Sequence, residues 1–193
     1  MLLEATIITY NVAEGILSIV AGLAAGSVVL IGFGLDSAIE VSAAFVVLWH
    51  LSRSGEEVMP DWERRVAGFV GLTLLVVAAY VLVRALYTLV TSTEPEESLL
   101  GIGITLASVV VMPLVSRLQH RYATRIGSAA LEADSRETLV CTYLSVAALI
   151  GLAANALLGW WWADPLAALA LVFLIAREGW EVYSKKELIC VDD

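Results

Sequence analysis

The sequence predicts an all-α integral membrane protein: six transmembrane helices with both termini cytoplasmic. Three observations carry that prediction. Hydrophobic residues fill 60% of the 193 positions and charged residues only 16%, against roughly 25% charged in a soluble domain. Six apolar runs follow one another, each near the roughly 20 residues that cross a bilayer. When the runs are threaded alternately, nine of the 11 Lys and Arg residues fall on one side. The composition excludes a disordered or collagen-like chain. The 20 Asp and Glu against 11 Lys and Arg argue against a nucleic-acid partner.

The runs cover residues 5–26, 29–51, 66–89, 99–118, 130–158 and 165–182. The first ends in GLAAGS (22–27), whose small residues let a tight turn lead straight into the second. The second and third are parted by SRSGEEVMPDWERR (52–65), rich in charge and carrying Gly and Pro. TSTEPEES (91–98) precedes the fourth run, in which Pro113 is expected to bend the helix because it removes a backbone donor. QHRYATRIGS (119–128) is expected to be a loop before the fifth, and WWADP (161–165) a break before the sixth. Residues 1–183 then form one membrane domain and 184–193 a short cytoplasmic tail. Cys141 and Cys190 give no disulfide framework.

Orientation follows from the Lys/Arg bias. With the N-terminus inside, Arg84 and Arg136 fall within spans and the outer loops have no Lys or Arg. The acidic 94–97 segment and Asp164 are expected to face outward. Tryptophans mark both boundaries, with Trp49, Trp62 and Trp180 near inner ends and Trp160, Trp161 and Trp162 near an outer one. The expected location is the inner (plasma) membrane, with multiple passes and the lipid bilayer as an obligatory partner.

Ionisable residues inside the runs are the functional signal, since an ionised Asp at a helix centre costs about 2.5–3.5 kcal/mol. Asp36 and Glu40 in the second span stand four apart and share one helix face. Glu137 and Cys141 do the same in the fifth span. An antiparallel contact between these spans would let the two pairs face each other. Glu14 lies about 15 Å beyond Glu4 along the first span, where it can supply a further ligand or take a proton. So many acids cannot all stay ionised unless a cation sits among them. Three carboxylates and a thiolate suit four-coordinate Zn²⁺. The sulfur argues against Mg²⁺ and Ca²⁺ but leaves Cd²⁺, Mn²⁺ and Fe²⁺ open. Competing readings stand beside this one: Cys141 as a small buried hydrophobe, and the acids as glue between helices. HExxH, CxxC and glycine-rich phosphate loops do not occur, so no enzyme is signalled.

The stretches GLDSAIE (34–40), RIGSAALEADSRETL (125–139) and WADPLAALALVFLIAREGWEV (162–182) resemble the cation diffusion facilitator family of divalent-metal exporters. The resemblance runs from about Asn11 to Glu181. It implies a transport site built from two ligands four apart on the second span and two on the fifth. Asp36, Glu40, Glu137 and Cys141 fall on those four positions. Glu40 stands where Asp is usual, Glu137 where His or Asp is common, and Cys141 where Asp is usual. Loss of His removes a group that titrates near neutral pH. The resemblance further implies export of a divalent cation in exchange for protons, with no resident cofactor, and a homodimer. The family's usual C-terminal soluble domain has no counterpart in these 193 residues, so membrane helices are expected to join the dimer. The alternatives are an importer or channel for another cation, or a structural or regulatory membrane protein.

Overall fold

The computed structural model describes residues 2–52, 60–127 and 129–185. They form six helices: α1 Leu2–Ala25, α2 Val28–Ser52, α3 Pro60–Thr91, α4 Leu99–Ile126, α5 Ala129–Leu158 and α6 Ala163–Lys185. Four contain stretches long and apolar enough to cross a membrane, Ala5–Ala25, Gly71–Thr91, Leu99–Arg125 and Thr138–Leu158. The other two, α2 and α6, are 25 and 23 residues long and carry ionisable residues in their middles.

Two expected loops prove partly helical. Helix α3 already starts at Pro60, where the missing N–H is one that the first turn leaves unused anyway. Helix α4 continues through Gln119–Arg125 to Ile126. Gln119 and Ala123 remain buried there, so the amphipathic stretch is a helix face rather than a loop. It stops at Gly127, whose φ of 66° is left-handed and whose N–H bonds to Ala123 O. Gly26 ends α1 in the same way with φ 65°, and Ser27 N–H reaches back to Gly22 O at 3.0 Å.

Contacts between named residues give the helix directions. Gly15 meets Gly34 and Gly22 meets Ile31, so α1 and α2 are antiparallel. Ser116 bonds to Ser135 and Asn155 to Pro95, so α4 and α5 are antiparallel. Val81 and Leu171 both pack on Gly32, while Gly71 meets Gly179, so α3 and α6 are antiparallel as well. Neighbouring helices alternate, and Leu2 and Lys185 lie at the same end of the bundle. Helices α1, α2, α4 and α5 form a four-helix group, and the α3–α6 pair packs against α2, with α6 also touching α5.

Burial is sorted for an apolar solvent. Phe69, Val90, Leu157 and Phe173 point outward. Asn11, Glu14, Ser37, Glu40, Thr105 and Ser108 point inward, as polar groups must where lipid offers no hydrogen bonds. Phe33, Leu30, Leu144, Leu171 and Ile175 fill the interior between them.

Asp164 lies at the end of the bundle opposite Leu2 and Lys185, beside the start of α2. It is fully buried and caps α2 from the first turn of α6. Its Oδ1 accepts from Val28 N–H at 2.9 Å and its Oδ2 from the Ser27 hydroxyl. That hydroxyl in turn accepts from Leu30 N–H at 3.2 Å. The negative carboxylate sits where the partial positive charge of a helix start favours it. Residues 94, 96 and 97 of the acidic loop are exposed, and buried Pro95 is tied down through its carbonyl by Asn155 at 3.0 Å.

Candidate functional site

Close backbone approach sets the site. A Cβ on Gly34 would lie 2.9 Å from Gly15 O and 2.7 Å from Ile19 Cγ1, so α1 and α2 approach this closely because position 34 lacks one. The contact places Glu14 beside Ser37, whose hydroxyl donates to Glu14 Oε2 at 3.1 Å. From α4, the Ser108 hydroxyl donates to Glu14 Oε1, and Tyr10 shares a hydrogen bond with Ser108 at 3.1 Å. Both carboxylate oxygens of Glu14 are thus oriented by hydroxyls from two other helices. Asn11, one turn earlier and fully buried, has neither side-chain amide atom hydrogen-bonded.

Across the α2–α5 contact, Glu40 meets Cys141. One ligand atom each from Glu14, Glu40 and Cys141 lies within 4.8 Å of the others, and all three residues are buried. Asp36 borders the same small cavity, which Ile39, Glu40, Val140, Cys141, Leu144 and Glu178 also line. The pair spaced four apart on α2 therefore shares a face, with Glu40 in the tight group and Asp36 on the cavity wall. Glu137 occupies α5 one turn before Cys141, and its side chain lies outside the described residues. Residues 186–193, with Cys190, lie outside them too.

Tetrahedral zinc at about 2.0–2.3 Å from each ligand holds its ligand atoms about 3.5 Å apart. A group already within 4.8 Å is little more than an ångström wider than that spacing. Two unit charges 4.8 Å apart repel by about 3.5 kcal/mol at an effective dielectric of 20. A cation or protons among these acids removes that penalty.

Two features were missed in the sequence. Glu178 reaches the cavity from α6, although it is an acid inside an apolar run and could have been found by that criterion. The hydroxyls of Tyr10, Ser37 and Ser108 gave no signal, because Ser and Tyr are ordinary residues in membrane helices.

Residues 6–186 match the cation efflux transmembrane domain. The chain belongs to the cation efflux family. An uncharacterized transporter of Synechocystis is 28% identical to this cation efflux protein over 161 residues, which cover 80% of this chain and 52% of the relative. The cation-efflux pump FieF of Shewanella oneidensis is 29% identical over 87 residues, covering 45% of this chain and 29% of the pump. The chain thus spans about half the length of the first relative and under a third of the second in these matches. The match is to the family's transmembrane domain, so this chain is a multi-pass membrane protein.

Proposed function

We propose that this protein exports a divalent metal cation, foremost Zn²⁺, from the cytoplasm in exchange for protons. The observation that carries the reading is the buried convergence of Glu14, Glu40 and Cys141 within 4.8 Å of one another. Asp36 on the adjoining wall and Glu137 one turn from Cys141 complete the ligand set we assign. Carboxylates and a thiolate bind metal only when deprotonated, so protons arriving at the site compete with the cation and drive its release. Sulfur among the ligands favours Zn²⁺ or Cd²⁺ over Mg²⁺ and Ca²⁺. We place the protein in the plasma membrane with the Leu2 and Lys185 end cytoplasmic, on the Lys/Arg bias. We further assign a homodimer, and residues 1–183 as the transport domain.

The test is metal-dependent flux in proteoliposomes under an imposed pH gradient. Asp36→Asn together with Glu40→Gln should abolish uptake of Zn²⁺ while the purified variant keeps its helical content and its elution volume. Full flux in that variant would remove the proposed site. Loss of folding in place of loss of flux would favour a purely structural role for the acids.

A further inference from the structure

We propose that Glu178 of α6 is the receiving carboxylate of the transport path, the group that first captures the cation on the Leu2–Lys185 side and hands it to Glu40 and Asp36. The inference rests on the transport site proposed above and extends it to a third helix. Its first support is the cavity itself, where Glu178 is the α6 residue in a wall otherwise built from α2 and α5. A second support is the gradient of exposure along that wall. Cys141, Glu40 and Asp36 are 2%, 5% and 8% exposed, whereas Glu178 is half-buried, so it is the most accessible carboxylate lining the cavity.

Register supplies the third support. The Val28–Asp164 hydrogen bond sets those two residues level on the parallel helices α2 and α6. From that level, at 1.5 Å per residue, Asp36 is about 12 Å, Glu40 about 18 Å and Glu178 about 21 Å toward the terminal end. Asp36 is thus the deepest of the three from that side, with Glu178 near the level of Glu40, as the Gly32–Leu171 contact also gives. The position of Glu178 is also fixed from behind. The next residue, Gly179, packs so closely on α3 that an added Cβ would lie 2.7 Å from Leu74 Cβ and 3.2 Å from Gly71 O. Helix α6 is therefore held against α3 on one side while Glu178, one residue round the helix, serves the cavity.

A carboxylate at such a mouth raises the local cation concentration and the capture rate, an effect of about tenfold or more for focused fields. It need not hold the cation once the deeper ligands have closed on it. The kinetic signature follows: the half-saturating concentration changes more than the maximal rate.

The experiment compares the parent with Glu178→Gln and Glu178→Asp in proteoliposomes, with Zn²⁺ added on the Leu2–Lys185 side. Asp36→Asn/Glu40→Gln is run in parallel, and equilibrium Zn²⁺ binding is measured in detergent. Glu178→Gln should raise the half-saturating Zn²⁺ concentration about tenfold, leave the maximal rate within about threefold, and leave equilibrium binding nearly unchanged. Glu178→Asp should restore most of the loss. An unchanged half-saturating concentration would overturn the inference. So would a variant that loses rate and thermal stability without a change in half-saturation, since that is what a structural anchor does. If the Asp36/Glu40 variant keeps full flux, the transport site itself fails. If it loses flux while Glu178→Gln behaves as the parent, only the role of Glu178 fails.

Discussion

Replacing Asp164 by alanine removes the acceptor that closes the start of α2. The carboxylate is fully buried, with one oxygen on Val28 N–H at 2.9 Å and the other on the Ser27 hydroxyl. The longer bond from Val29 N–H, at 3.4 Å, contributes little. Alanine leaves two buried donors without partners, each costing about 1–3 kcal/mol. It also removes a negative charge from a helix start, worth about 1 kcal/mol more. The expected loss is about 3–7 kcal/mol of unfolding free energy, measured by denaturant titration in detergent and followed by tryptophan fluorescence. Asp164→Asn keeps one oxygen and should lose roughly half as much. Ser27→Ala, which deletes the cap but leaves the carboxylate on Val28, should cost about 1 kcal/mol. An Asp164→Ala protein within 1 kcal/mol of the parent would refute the reasoning, because two buried donors would then be orphaned at no cost.

Other outcomes follow from the same geometry. Gly71→Ala should weaken the α3–α6 pair by more than 1 kcal/mol on the same titration, because the new Cβ would stand 2.6 Å from Tyr183 N and 2.9 Å from Gly179 O. Gly68→Ala, at a site with nothing within 4 Å, is the control and should be neutral or better. Cys141→Ser should reduce Cd²⁺ flux more than Mn²⁺ flux if sulfur is a ligand, and equal reduction would return the cysteine to packing. Ser108→Ala removes one of the hydroxyls that orient Glu14 and should raise the half-saturating Zn²⁺ concentration about three- to tenfold, from the roughly 1 kcal/mol such a bond contributes. An unchanged value would show that Glu14 needs no such orientation.

The helices were legible because apolar runs of bilayer length leave little choice, and the turn at Gly26–Ser27 could be placed to within a residue. The ends of α3 and α4 were not. There charged and aromatic residues decorate a helix that continues past the apolar stretch, and composition alone reads such segments as loops. The spacing of Asp36 and Glu40 put both on one face, and the structure brings Glu40 to Cys141 across α2 and α5. That Glu14 joins these two depends on the Gly15–Gly34 contact, which no spacing within one helix can reveal. The cap that Asp164 makes was hidden for a related reason. Its partners, Ser27 and Val28, lie at the start of another helix far along the chain.

The tie between Ser27, Val28 and Asp164 makes α2 a lever with its fulcrum at one end. A swing of α2 by 10° about that point would carry Asp36 through about 2 Å and Glu40 through about 3 Å, given their distances along the helix. Glu14 is bonded both to Ser37 of α2 and to Ser108 of α4, so such a swing would strain one of these two hydrogen bonds. Displacements of that size exceed the difference between the 4.8 Å reach of the present group and the roughly 3.5 Å spacing of ligand atoms around a tetrahedral ion.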